Sequence, residues 1–134
     1  MSEKQKGRRI TNPHKRITVL IADDHEMTRK GIRDFLEQAP DMQIVGEARD
    51  GDEIKRMVAE LRPQLLLLDY IMPKLSPREL ERWVRTNYPE TVTLVLSAHN
   101  RDAYLAGMME SGAVGYLDKK LRAGQLISAI RRAA

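Results

Sequence analysis

The sequence predicts an α/β fold, a single parallel sheet with helices on both faces, and three observations carry that prediction. Leu65-Leu66-Leu67-Leu68 is an apolar run without polar alternation, as expected of a strand covered on both sides. Short apolar runs alternate along the chain with stretches whose apolar residues recur at helical spacing. Several of the runs end in groups able to do chemistry, and open parallel sheets bind ligands outside the carboxyl ends of their strands.

The first strand is expected at 17 to 22 and the first helix around Ile32, Phe35 and Leu36, ended by Pro40-Asp41. A second strand at 43 to 48 is the most polar, which suits a sheet edge. Asp50-Gly51-Asp52 opens the second helix, whose Ile54, Met57, Val58 and Leu61 follow the i, i+3, i+4, i+7 pattern before Pro63. The third strand, 64 to 69, ends in Asp69. Ser76-Pro77 then supplies an N-cap and a proline at the first helical position ahead of Leu80, Trp83 and Val84, and Pro89 closes that helix. A fourth strand at 91 to 97, a fourth helix around Leu105, Met108 and Met109 closed by Gly112, a fifth strand at 113 to 117 and a fifth helix around Leu126, Ile127 and Ile130 complete the chain. Five alternating units call for right-handed crossovers and, at this size, the flavodoxin-like (βα)5 order 2-1-3-4-5.

With 134 residues there is room for one domain and one sizeable core. No apolar stretch approaches the ~20 residues needed to span a bilayer, and no signal peptide is recognisable, so a cytoplasmic protein without a membrane partner is expected. The absence of cysteine excludes disulfides, thiolate metal sites and cysteine nucleophiles. The net charge of +4 is unevenly placed. Residues 1 to 16 hold six basic side chains against Glu3, while the remaining 118 residues hold 17 basic and 18 acidic ones, a net of −1. The basic character thus belongs to a polar leader, 1 to 16, expected to be disordered and solubilising rather than nucleic-acid-binding; the folded unit is expected at 17 to 134.

The strand ends carry the functional argument. Asp23-Asp24 follows the first strand, Asp69 ends the third, Ser97 ends the fourth, and the fifth leads into Lys119. A parallel sheet brings three carboxylates, a hydroxyl and an ammonium to one edge. Clustered carboxylates repel unless a proton or cation relieves them. Oxygen donors without cysteine favour a hard ion, Mg²⁺ or Mn²⁺, and Mg²⁺ bound by carboxylates suggests phosphoryl chemistry, with an aspartate as nucleophile.

Four segments carry a family resemblance: Ala22-Asp23-Asp24-His25, Leu68-Asp69-Tyr70-Ile71-Met72-Pro73, Leu96-Ser97-Ala98-His99 and Gly115-Tyr116-Leu117-Asp118-Lys119. In this order they resemble the motifs of the receiver domain of bacterial two-component response regulators, over residues 17 to 134. The Asp-Asp-His opening and the Gly-Tyr-Leu-x-Lys segment at 115 to 119 are most similar to the NarL-like subgroup, whose receivers usually precede a helix-turn-helix DNA-binding domain. The resemblance implies that Asp69 accepts phosphoryl from a histidine kinase, and that Asp24, Asp69 and the Ile71 carbonyl ligate Mg²⁺ while Asp23 acts through a water. It further implies that Lys119 pairs with the phosphate, Ser97 moves to hydrogen-bond it and Tyr116 turns inward. Such a chain is a switch rather than an enzyme acting on other molecules; its partners would be the kinase, a second copy on phosphorylation, and DNA only through an output domain. The final helix ends in mid-pattern, which favours an excised domain.

Three positions depart from the family pattern: Pro77 where a glycine is usual, Asp118 beside the lysine where an apolar residue is common, and Ser97 where threonine is frequent. Ile71 and His99 fall at the rim by the family's geometry, and apolar Ile71 is expected to order attacking water poorly and so prolong phosphorylation.

Each residue also has a plainer reading. Asp69, Asp23 and Asp24 could cap helices, Ser97 could be a turn residue, Lys119 could be solvated beside Lys120, and Tyr116 could be a half-buried strand aromatic. His25 and His99 are read as neither bases nor ligands, and Met108, Met109 and Trp83 as packing. The competing functions are a receiver-like binding module that is never phosphorylated, and a haloacid-dehalogenase-like phosphatase. The phosphatase requires a second aspartate two residues after the nucleophile, where this chain has Ile71. No glycine-rich nucleotide loop is present.

Overall fold

The computed structural model describes residues 16–69, 72–97, 115–118 and 123–134, with the backbone alone at 97 and 115–118. The elements run β1 (Ile17–Ala22), α1 (Glu26–Leu36), β2 (Met42–Ala48), α2 (Gly51–Leu61), β3 (Leu65–Asp69), α3 (Pro77–Asn87), β4 (Val92–Ser97), β5 (Gly115–Asp118) and α4 (Ala123–Ala133). The five strands form one parallel sheet in the order β2-β1-β3-β4-β5, with β3 at its centre and the polar β2 at one edge. Four helices stand among the described residues; the helix expected around Leu105, Met108 and Met109 lies outside them, as does the leader to residue 15.

The leucine run explains the layering. Leu66 and Leu68 join Leu20, Ala22, Ile54, Val58, Leu80, Val84 and Val95 under α2 and α3. Leu65 and Leu67 point the other way, to Val19, Ile21, Ile32, Leu36, Leu94, Leu96, Leu126 and Ile130 under α1 and α4. All four leucines are at most 1% exposed, and full burial of such a side chain is worth about 1.5–3 kcal/mol. The central strand therefore knits both cores.

Local chemistry sets the helix ends. Asp50 caps α2, its carboxylate accepting from the main-chain N–H of Glu53 at 2.8 Å, as expected from its short acceptor side chain. Pro77 opens α3 as expected, whereas Ser76, although at the N-cap, makes no side-chain capping bond. The first helix stops at Leu36, ahead of Pro40, and its N-cap is His25 rather than Asp23 or Asp24. At the edge, Val19 pairs with Ile44 and Leu20 with Gly46, leaving Val45 as an extra residue. Such a bulge twists an edge strand away from further pairing.

Candidate functional site

The register brings the chemistry to one level of the sheet. Ala22 pairs with Leu68, so the next residues, Asp23 and Asp69, stand side by side where β1 and β3 end. On the other flank Asp69 pairs with Leu96, and Ser97 with Asp118, so the backbone of Ser97 is one step beyond the level of Asp69. Tyr116 pairs with Val95. Ile71, Lys119 and His99 lie outside the described residues, and for Ser97 and Tyr116 the backbone position alone is described.

Asp23 is 1% exposed and Asp69 6%. One donor atom from each of Asp23, Asp24, Asp69 and His25 can be chosen so that all lie within 4.8 Å of one another. Buried carboxylates at this spacing favour a bound cation, because each loses water and gains a like-charged neighbour. The cluster therefore fits a divalent ion by its donor set, with Asp24 on its exposed side. His25, read from the sequence as no ligand, stands inside the cluster. Its Nδ1 is 3.0 Å from Asp24 Oδ1 and 3.2 Å from Asp23 Oδ1, and its main-chain N–H donates to Asp23 Oδ1 at 2.8 Å.

Behind the acids lies an arrangement that the motifs did not disclose. Arg29, buried on α1, donates from Nη1 to the main-chain oxygen of Asp23 at 2.7 Å and from Nε to Glu47 Oε1 at 3.0 Å. Arg33 donates to the other Glu47 oxygen at 2.6 Å. The Asp23 N–H in turn donates to the Ala48 carbonyl at 3.0 Å. Both sides of the Asp23 backbone are thus held, by α1 and by β2. The helical period offered a signal, since Arg29 precedes buried Ile32 by three positions and shares its face.

The loop after β3 is anchored as well. Gly51 N–H donates to the Pro73 carbonyl at 3.1 Å, and Lys74 adopts a left-handed conformation at φ 56°. Met72 is buried in the α2/α3 core, in one cluster with Leu66 and Leu68 of β3.

A doubly wound parallel sheet with acids gathered at the ends of its first and third strands is a flavodoxin-like domain with its candidate site at the strand ends. The chain belongs to the response regulator receiver domain family, whose model matches residues 19–131. It is 36% identical over 118 residues to the transcriptional regulatory protein LiaR of Bacillus subtilis, covering 88% of this chain and 56% of that protein. To the oxygen regulatory protein NreC of Staphylococcus epidermidis it is 39% identical over 114 residues, covering 84% and 52% respectively. The structure superposes with a TM-score of 0.84 on the signal receiver domain of the response regulator NarL from Mycobacterium tuberculosis, at 29% identity, covering 88% of this chain and 95% of that one. These similarities place it among NarL-like receivers. The chain spans about half the length of the curated relatives it matches.

Proposed function

We propose that Asp69 is the phosphoacceptor of this receiver, charged by the phosphohistidine of a histidine kinase. Asp24, Asp69 and the Ile71 carbonyl would hold Mg²⁺ or Mn²⁺, with Asp23 acting through a water. The observation that carries the reading is the pairing of buried Asp69 with buried Asp23 at the mouth of the sheet, within one ligand set.

An oxygen of the Asp69 carboxylate is the nucleophile. It bonds to phosphorus as the donor's P–N bond breaks, and the imidazole leaves with the electron pair of that bond. A divalent cation, when bound, supplies charge neutralisation at the transferring oxygens. Asp23 and Asp24 form the anionic cradle for it, and Arg29 keeps the Asp23 backbone in place. Lys119 is assigned the counter-charge, Ser97 the hydroxyl that donates to the phosphoryl group and Tyr116 the aromatic that follows it inward. The position of the Ser97 backbone one step beyond Asp69 supports that assignment. A phosphoryl group adds about −1.5 to −2 charge and three acceptor oxygens, enough to draw a hydroxyl and an ammonium together.

The receiver unit is assigned to residues 17–134, completed to (βα)5 by a helix around Leu105, Met108 and Met109, with 1–16 as a leader outside it. The module changes only its own phosphorylation state. Phosphorylation would promote a homodimer and direct a DNA-binding output domain in transcriptional control, as the names of the relatives suggest, in the cytoplasm. No helix among the described residues is long and apolar enough to cross a membrane.

Incubation with acetyl phosphate and Mg²⁺ should add one phosphoryl group by intact mass, and Asp69→Asn should abolish the gain. No gain in the parent would favour a binding module that is never phosphorylated. An equal gain in Asp69→Asn would move the phosphoacceptor elsewhere.

A further inference from the structure

We propose that the imidazole of His25 is a ligand of the cation site at Asp23, Asp24 and Asp69, and that it biases the site toward first-row transition ions such as Co²⁺ over Mg²⁺. The inference rests on the cation site described above.

Three observations support it. Neighbouring donors in an octahedral sphere with bonds of about 2.1 Å lie about 3.0 Å apart. The His25 Nδ1 stands 3.0 Å from Asp24 Oδ1, the carboxylate assigned to the ion directly, and belongs to the same four-donor set as Asp69. That spacing lets the ring nitrogen and the Asp24 carboxylate bind one ion side by side. Next, the ring is engaged by the acids themselves and not by the helix, its Nδ1 in hydrogen-bond contact with Asp23 Oδ1 at 3.2 Å. His25 is the N-cap of α1 yet its side chain makes no capping bond, and at 67% exposure it is not held by core packing. Finally, the backbone delivers the ring: the bond from His25 N–H to Asp23 Oδ1 ties the residue to the first acid before the side chain is considered.

The donor chemistry sets the consequence. Mg²⁺ prefers oxygen and dehydrates reluctantly, so an imidazole adds little to its binding. Co²⁺ and Zn²⁺ accept imidazole readily, and affinity for a mixed nitrogen and oxygen site rises along the divalent series from Mn²⁺ through Co²⁺. A ring that merely hydrogen-bonded the carboxylates would instead shift all divalent ions alike.

The test is titration of the full chain with Co²⁺ and with Mg²⁺, followed by calorimetry and, for Co²⁺, by its visible absorption. Parent, His25→Ala and His25→Gln are compared. Alanine keeps the main-chain bond to Asp23 and removes only the ring; His14 and His99 remain in every variant, so a loss confined to His25 cannot come from them. Both substitutions should weaken Co²⁺ binding by about tenfold or more and alter the absorption band. Mg²⁺ affinity should stay within a factor of about two, because the oxygen donors are untouched. Unchanged Co²⁺ binding, or equal losses for both ions, overturns the role of His25 while leaving the carboxylate site standing. A parent that binds neither ion overturns the site itself, and with it this inference.

Discussion

Gly51 at the start of α2 and Lys74 in the loop after β3 are in backbone contact, and the contact leaves no room for a side chain. A Cβ at Gly51 would stand 1.9 Å from the Lys74 carbonyl oxygen and 2.8 Å from its carbon. The obstacle is backbone, so no rotamer change relieves it. Gly51→Ala should cost about 2 kcal/mol or more, at the upper end of overpacking effects, measured by urea unfolding. Because the same loop leads back to Asp69, Mg²⁺ affinity should fall as well. A variant of parental stability would mean that the loop moves freely from α2.

Lys74 pays for that contact with a left-handed backbone at φ 56°. Glycine adopts this conformation without a Cβ clash, although it loses more entropy on folding. Lys74→Gly is expected to stabilise by about 0.5–1 kcal/mol, visible as a raised Tm. The exposed Lys74 to Asp52 pair at 3.6 Å that the substitution removes is worth little against this gain.

Arg29 joins α1, the Asp23 backbone and Glu47. Arg29→Leu removes both hydrogen bonds from a buried position, while Glu47 keeps Arg33. A loss of about 2 kcal/mol is expected, since the Asp23 carbonyl loses its bond from the guanidinium. Mg²⁺ binding should weaken along with stability, whereas Arg33→Leu should leave it near parental. Parallel titrations of the two variants decide the point.

Acid should destabilise the domain through two carboxylates. The hydrogen bond from Arg49 pulls Glu53 down to about 2 from an ordinary 4.5, and the hydrogen bond from Arg131 lowers Asp41. Folded-state values below the unfolded ones mean that the stabilisation is complete above pH 4.5 for Glu53 and is lost as pH falls toward 2. Arg49→Ala and Arg131→Ala should each flatten this limb of a stability profile followed by circular dichroism. A profile as steep as the parent's in both variants would refute the assignment.

Glu81 runs in the opposite sense. Burial raises it, against the hydrogen bond from Thr93 and the charge of Arg85. The Thr93 hydroxyl donates to Oε1, while Arg85 Nε, 2.9 Å from Oε2, lies outside hydrogen-bonding geometry. A raised folded value gives stabilisation that is present below the unfolded value and fades as pH rises through the folded one. Thr93→Val should therefore cost about 1–3 kcal/mol at neutral pH by leaving a buried carboxylate oxygen without its donor. Glu81→Gln should stay within about 1 kcal/mol of the parent and lose this pH dependence, checked by unfolding at pH 5 and pH 8.

Much of this was legible from local pattern. The leucine run announced a strand buried on both faces, the polarity of residues 42–48 announced an edge, and Asp50 and Pro77 marked the helix starts they occupy. Three of the acids that cluster were visible because strand ends of a parallel sheet share one edge. Other features were harder to see because they depend on partners distant in sequence. Glu81 is a buried helix carboxylate whose hydrogen bond comes from Thr93 on another element, β4. Ser76 has the composition of a capping residue, yet its side chain makes no capping bond. His25 reads as a lone imidazole until the turn after β1 places its ring against two carboxylates.

The sequence by itself determined the layering and the identity of the acids, because hydrophobic period and strand-end chemistry are local properties that each segment carries with it. The tertiary structure alone decided which groups surround those acids. Arg29 reaches the Asp23 carbonyl and Glu47 only when α1 packs across β1 and β2. Gly51 meets Lys74 only when α2 and the β3–α3 loop meet above the sheet. Contacts of that kind depend on the register and packing of separate elements, and no single segment encodes them.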